Sequence, residues 1–229
     1  MKYKNITLLG TSHIAKQSVE EVEQHIKTHQ PDIVGVELDR NRLHALLQKG
    51  KRRMPLRMIF SIGVKGFVFA LMGQYVQNKL GNAVGVKPGA DMLAAVKTAR
   101  KQGCDVYLID QDVQVTLAKF SQAITWKEKW RFFVDILYAL FFREKAMERY
   151  GINTFDLTKV PPKKIIKQLT GRVKERFPNV YRVIIEERNH IMAKKLVKLS
   201  KDHPDKDILG VIGAGHEEDM ITLMKKYDK

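Results

Sequence analysis

Two segments of the chain place a histidine three residues after a glycine, each time behind a short apolar run. They are Ile6-Thr7-Leu8-Leu9-Gly10-Thr11-Ser12-His13 and Ile208-Leu209-Gly210-Val211-Ile212-Gly213-Ala214-Gly215-His216. With 15 Gly and 7 His in 229 residues, chance supplies about half of one such spacing, so the context carries the weight. Two more apolar runs finish in carboxylates, Val34-Gly35-Val36-Glu37-Leu38-Asp39 and Val106-Tyr107-Leu108-Ile109-Asp110-Gln111-Asp112. Imidazoles and carboxylates gathered at one place can hold a divalent metal with positions left open for water and substrate. They can equally work without metal, as a general base and its orienting partner. Glu37 is the sharpest of the acids, because a carboxylate inside an apolar run needs a cation to offset its burial. Asp39, Asp110 and Asp112 have a second use open to them, as helix caps. Glu186-Glu187-Arg188-Asn189-His190 offers that cation in Arg188, which would bind a substrate carboxylate or stabilise an oxyanion. The alternative there is an exposed, salt-bridged turn. His25, His29, His44, His190 and His203 lie in polar helical or loop settings and read as surface residues.

Positioning these groups requires a parallel sheet. Ile6–Gly10 reads as a strand, a helix carries Val19, Val22 and Ile26 on its apolar side, Pro31-Asp32 breaks it, and Ile33–Leu38 returns as a second strand. That is a βαβ unit, whose right-handed crossover sets the two strands parallel. A short helix is expected over 41–48, a longer one over Ala90–Gln102 ended by Gly103, and a third strand over Asp105–Asp110. Residues 112 to about 201 read almost entirely as helix, with Pro161 and Pro178 opening two of the helices. Asp207–Gly213 is the fourth strand and Glu217–Tyr227 the last helix. The fold class expected is α/β: a small, mainly parallel sheet of about four core strands in a single domain, with helical insertions near 51–85 and 115–176. In a parallel sheet ligands collect beyond the carboxyl ends of the strands, which is where His13, Glu37, Asp39, Asp110, Asp112 and His216 would meet.

Composition narrows the class further. Hydrophobic residues make up 44% of the chain, as in a globular protein. Cys104 excludes an internal disulfide and reads as a small buried residue, in keeping with a reducing, cytoplasmic compartment. No secretory signal and no membrane span are expected, since the best apolar stretches, 58–72 and 132–142, are short and contain Lys65 and Asp135. The net charge of +16 suits a solvated basic surface first and an anionic membrane surface second. Nucleic acid is not expected as a partner, because no helix-turn-helix, zinc-finger or aromatic RNA-binding pattern accompanies the charge. Trp126, Trp130, Phe132, Phe133, Phe141 and Phe142 read as core or as the surface of a homodimer built on the second insertion.

Gly10-Thr11-Ser12-His13, Gly35-Val36-Glu37-Leu38-Asp39, Leu108-Ile109-Asp110, Glu187-Arg188-Asn189 with Met192-Ala193, and Gly213-Ala214-Gly215-His216 appear in that order. Together with Lys79-Leu80-Gly81 and Val86–Ala95, the set resembles the TraB/PrgY (pheromone-shutdown) family, within the superfamily of the TIKI Wnt-cleaving proteases and the erythromycin esterases. The resemblance runs over essentially the whole chain. It implies a TIKI-like fold and a hydrolytic, metal-dependent site built on His13, Glu37, Arg188 and His216. His13, Glu37 and His216 would be the metal ligands, and the TIKI likeness suggests manganese or cobalt. A peptide or small signalling molecule is the implied substrate. Gly10, Ser12, Asp39, Asp110, Asp112, Asn189 and Gly213 stand as further candidates around them. The competing reading is a non-catalytic module that binds and sequesters such a signal, at a membrane surface or free of it.

Overall fold

A computed structural model describes residues 1–11, 16–48, 59–60, 63–64, 67, 71, 89–141 and 163–229. The strands are β1 (Lys2–Tyr3), β2 (Ile6–Thr11), β3 (Ile33–Val36), β4 (Asp105–Leu108) and β5 (Ile208–Gly213). Their order across one sheet is β1-β2-β5-β3-β4. All neighbours are parallel except β1 and β2. The four core strands and the α/β class match expectation, while β1 is an added antiparallel edge. β5 lies between the two strands of the first βαβ unit, an arrangement that local pattern does not reveal.

The helices are α1 (Lys16–His29), α2 (Arg40–Leu47), α3 (Ala90–Lys101), α4 (Val113–Ala123), α5 (Trp126–Phe141), α6 (Lys163–Arg176), α7 (Pro178–Tyr181), α8 (Glu187–Asp202) and α9 (Glu217–Tyr227). A π-helical turn, Arg182–Glu186, joins α7 to α8. Side chains alternate across a strand, and the two faces of the sheet show that alternation directly. Ile208 and Ile212 of β5, with Ile6, Leu8 and Ile33, pack under Met192, Leu196 and Leu199 of α8 and Met220 and Met224 of α9. Leu209 and Val211 of the same strand, with Val34 and Val36, pack against Val22 and Ile26 of α1 and Met92, Ala95, Val96 and Ala99 of α3.

Two glycines set how near α8 comes to the sheet. A Cβ on Gly35 would stand 3.2 Å from Leu196 Cδ2, and one on Gly210 would stand 2.8 Å from Leu8 Cδ2 and 3.5 Å from Leu196 Cδ1. Both leave room for Leu196, which is fully buried. Eight residues before Leu196, about 12 Å along a helix, Arg188 thereby arrives at the carboxyl edge of the sheet.

Of the insertion expected near 51–85 only isolated residues are described. The second, near 115–176, is helical where described, in α4, α5 and α6. For the aromatic group on α5, read as core or as surface, the two tryptophans lie on the surface. Trp126 and Trp130 are 82% and 67% exposed, while Phe142 and the side chains of Phe133 and Phe141 lie outside what is described. Cys104 is half-buried, and burial pushes its thiol above the ordinary value, away from the thiolate that a nucleophile needs.

Candidate functional site

Glu37 follows β3 on the face that carries α8, continuing the alternation of Ile33 and Gly35. Its backbone N–H donates to Val211 O at 3.0 Å, which extends the pairing of β3 with β5 by one step. The side chain is almost fully buried. Oε2 accepts the Gly213 N–H at 2.5 Å, and Oε1 accepts from Arg188 Nη2. The cation that Glu37 requires is therefore supplied by α8.

Arg188 is tied down on every side. Nε and Nη2 form a fork onto Asp110, at 3.0 Å to Oδ1 and 2.8 Å to Oδ2, and Nη1 donates to Ile184 O at 3.1 Å. That carbonyl belongs to the π-helical turn, a feature that often marks functional positions in helices. Asp110 takes a second guanidinium, Arg42 Nη1 at 2.8 Å, and the Gln111 N–H at 2.7 Å. Two guanidinium groups thus face two buried carboxylates. Burial alone would make Arg188 a weaker base, but the charges of Glu37 and Asp110 outweigh it and raise its pKa above the ordinary value. It stays a cation at any pH the protein meets. Lys195 closes the far side, donating to the carbonyls of Asp110 and Leu108 at 2.6 and 3.2 Å, with its own pKa lowered by burial against the pull of Asp110 and Asp39.

His216 ends the loop after β5, one residue before α9. Its Nε2 lies 3.3 Å from Arg188 Nη1 and 3.4 Å from Glu37 Oε1, and its Nδ1 lies 2.6 Å from Asn189 Oδ1. Glycine at position 10 permits the close approach of this loop. A Cβ there would stand 3.3 Å from Ala214 Cα and 3.0 Å from Glu217 Oε2. The Ala214 N–H also donates to Thr11 O at 2.7 Å. After β2 the chain passes to α1 on one face, and after β5 it passes to α9 on the other. A crevice between neighbouring strand ends is where open α/β sheets bind ligands.

Glu37, Arg188, Asp110, Asn189, Gly213 and His216 therefore come together. Asp39 and Asp112 do different work. Asp39 Oδ1 caps α2 through the N–H groups of Asn41 and Arg42, at 2.8 and 3.0 Å. Its Oδ2 is buried with no hydrogen-bond partner among the described residues, and burial raises the carboxyl pKa against the pull of Arg42. Asp112 caps α4 through the Gln114 N–H at 2.7 Å and accepts Asn41 Nδ2 at 2.9 Å. Ser12 and His13 lie outside the described residues.

Two contributors escaped the sequence reading. Arg42 carried no signal, because its partner lies 68 residues away. Asp91 is a buried acid in the first turn of α3, and its Oδ2 accepts Thr11 Oγ1 at 2.5 Å. Its signal was an acid on an otherwise apolar helix face beside Met92 and Ala95. Among the described residues, no three His, Cys, Asp or Glu side chains gather as metal ligands, and no helix is long and apolar enough to cross a membrane.

Comparison with known proteins decides the kinship. Residues 2–226 match the profile of the TraB/PrgY/gumN family. The chain belongs to that family. It is 35% identical over 226 residues to an uncharacterized protein of Methanocaldococcus jannaschii, covering 98% of this chain and 54% of that protein. It is 24% identical over 235 residues to the TraB domain-containing proteins of Mus musculus and Homo sapiens, covering 92% of this chain and 60% of each. The chain thus spans about half to three-fifths of the length of these relatives. Every residue of the strand-end cluster falls inside the part that the TraB/PrgY/gumN profile matches.

Proposed function

We propose that this TraB/PrgY/gumN chain carries a hydrolase site, acting on a peptide or small signalling molecule at the edge formed by β3, β5 and α8. The observation that supports the reading is the contact of His216 Nε2 with Arg188 and Glu37 among charges buried at strand ends. In a hydrolysis there, His216 Nε2 takes a proton from water as the water oxygen attacks the substrate carbonyl. The Arg188 guanidinium lies where it can balance the charge developing on the carbonyl oxygen. Glu37 stabilises the imidazolium until the proton passes to the leaving group.

The likeness to TIKI proteases adds a divalent ion held by His13, Glu37 and His216, which would supply a bound water of lowered pKa. The described donors do not fit such an ion as they stand. Both Glu37 oxygens are engaged, by Arg188 and by the Gly213 N–H, and His216 Nε2 faces a guanidinium. An ion would enter only with Arg188 turned away.

One observation favours the second reading, a module that binds a signal without cutting it. Each nitrogen of the Arg188 guanidinium already has an acceptor within the chain. Incubation of the purified protein with a pool of short peptides, followed by mass spectrometry with and without a chelator, separates the two. Cleavage products that disappear in His216→Ala support the hydrolase; peptides retained and recovered intact support the binding module. Loss of cleavage on chelation, restored by manganese or cobalt, would bring the ion back.

A further inference from the structure

The hydrogen-bond partners of His216 define more than its position. Asn189 is fully buried on α8, its Oδ1 lies 2.6 Å from His216 Nδ1, and its Nδ2 lies 3.4 Å from Asp219 Oδ2. A carboxylate accepts and has no proton to give, so the amide nitrogen of Asn189 must be the group that faces Asp219. Its oxygen is then the group that faces His216, and an amide oxygen only accepts. The proton of a neutral His216 must therefore sit on Nδ1. A second, independent contact requires the same form. Arg188 Nη1, 3.3 Å from Nε2, can only donate, which makes Nε2 the nitrogen that carries the lone pair and accepts.

We infer that Asn189 is a positioning residue, oriented by Asp219, that holds neutral His216 as the Nδ1–H tautomer and keeps the Nε2 lone pair in the site. Asp219 stands in the first turn of α9, and its charge is one of those that, after burial, raise the pKa of Tyr181, the last residue of α7. Two elements, α8 and α9, meet at this one carboxylate. The orientation of the imidazole is thus set from outside the strand-end cluster. Such an outer partner fixes which ring nitrogen is basic. Were the Asn189 amide reversed, its nitrogen would donate to Nδ1, the proton would move to Nε2, and His216 would present a donor to Glu37 Oε1. A ring in that form cannot take a proton from water at Nε2.

The consequence for catalysis rests on the hydrolase reading, but the tautomer does not, and the test reads it directly. Two-bond ¹H–¹⁵N correlation spectra of histidine-labelled protein identify the tautomer, with the His216 signals assigned by their loss in His216→Ala. The Nδ1–H pattern is expected in the wild type at a pH where the ring is neutral. Asp219→Ala is a surface change that leaves the buried amide in place, and it should lower the Nδ1–H population. Asn189→Leu should lower it further, and Asn189→Asp, which keeps an acceptor, should restore it. An Nε2–H pattern in the wild type would overturn the inference. So would an Nδ1–H population unchanged in both Asp219→Ala and Asn189→Leu, because Arg188 alone would then suffice. If the tautomer behaves as expected while no peptide is cut, the hydrolase reading fails and the role of Asn189 stands.

Discussion

Two glutamates, Glu37 and Glu128, are each almost fully buried, 1% and 2% exposed, and they are buried by opposite means. Glu128 sits in the first turn of α5 and reaches back to the N–H and hydroxyl of Thr125, both at 3.0 Å, while the Thr125 hydroxyl accepts the Glu128 N–H at 3.3 Å. That is a reciprocal capping box. Asn179 completes it with its N–H at 2.8 Å and its amide at 3.0 Å, fastening α5 to α7. The partners named for Glu128 are neutral, and they satisfy a helix end. Glu37 is instead held by a guanidinium and a strand-end N–H, with an imidazole at 3.4 Å. Burial of a carboxylate therefore says little by itself. A charged partner that is itself shared with a second carboxylate and a histidine is what separates the strand-end cluster from a structural latch.

The largest effect should follow from removing the shared cation. Arg188→Met takes the guanidinium from buried Glu37 and leaves Asp110 with that of Arg42 alone, and breaking a buried pair costs about 3–5 kcal/mol. Chemical denaturation should show that loss, along with the loss of any turnover. A cost no greater than that of Glu128→Ala would collapse the distinction between the two glutamates. For Glu128→Ala, the donors left unpaired set a cost of about 1–3 kcal/mol, with turnover unchanged.

A pH series sharpens the same contrast. Burial alone would raise the pKa of Glu128, but the hydrogen bonds from Thr125 and Asn179 outweigh it and hold the carboxyl below its ordinary value. A carboxyl with a depressed folded pKa contributes stability above its unfolded pKa and loses it as pH falls through the folded value. The stability gap between the wild type and Glu128→Gln should accordingly be widest near neutrality and close in acid. A gap independent of pH would mean that the charge of Glu128 contributes nothing. Smallest of all should be Asp112→Ala, which removes the cap of α4 at about 1 kcal/mol and leaves turnover intact. A loss of turnover there would move Asp112 from the helix caps into the site.

How far the sequence disclosed this depends on the range of each interaction. α9 spans Glu217–Tyr227 as its pattern predicts, because acids at its start and lysines near its end are local signals. The apolar core of each parallel strand is legible for the same reason. The insertion of β5 between β2 and β3 is a long-range pairing with no local trace. It decides that His216 lies beside Glu37, a proximity that residue spacing could suggest but not establish. The turn at Arg182–Glu186 was expected as continuous helix. Val183, Ile184 and Ile185 are β-branched and weaken regular helix there, and the widened turn presents Ile184 O to Arg188. Glu37 announced its need for a cation through its apolar surroundings, whereas Asp110, shared by Arg188 and Arg42, gave no sign of whether it was a cap or a ligand. Asp39 and Asp112 proved to be the caps.

Peptide cleavage by the wild type and by His216→Ala, with the melting temperature of each recorded on the same samples, bears most directly on the proposed hydrolase site. A fall in turnover of about 10²–10⁴-fold, with melting temperatures within a few degrees of each other, is the expected result. Equal cleavage by the two proteins, or none by a folded wild type in the presence or absence of manganese and cobalt, would contradict it.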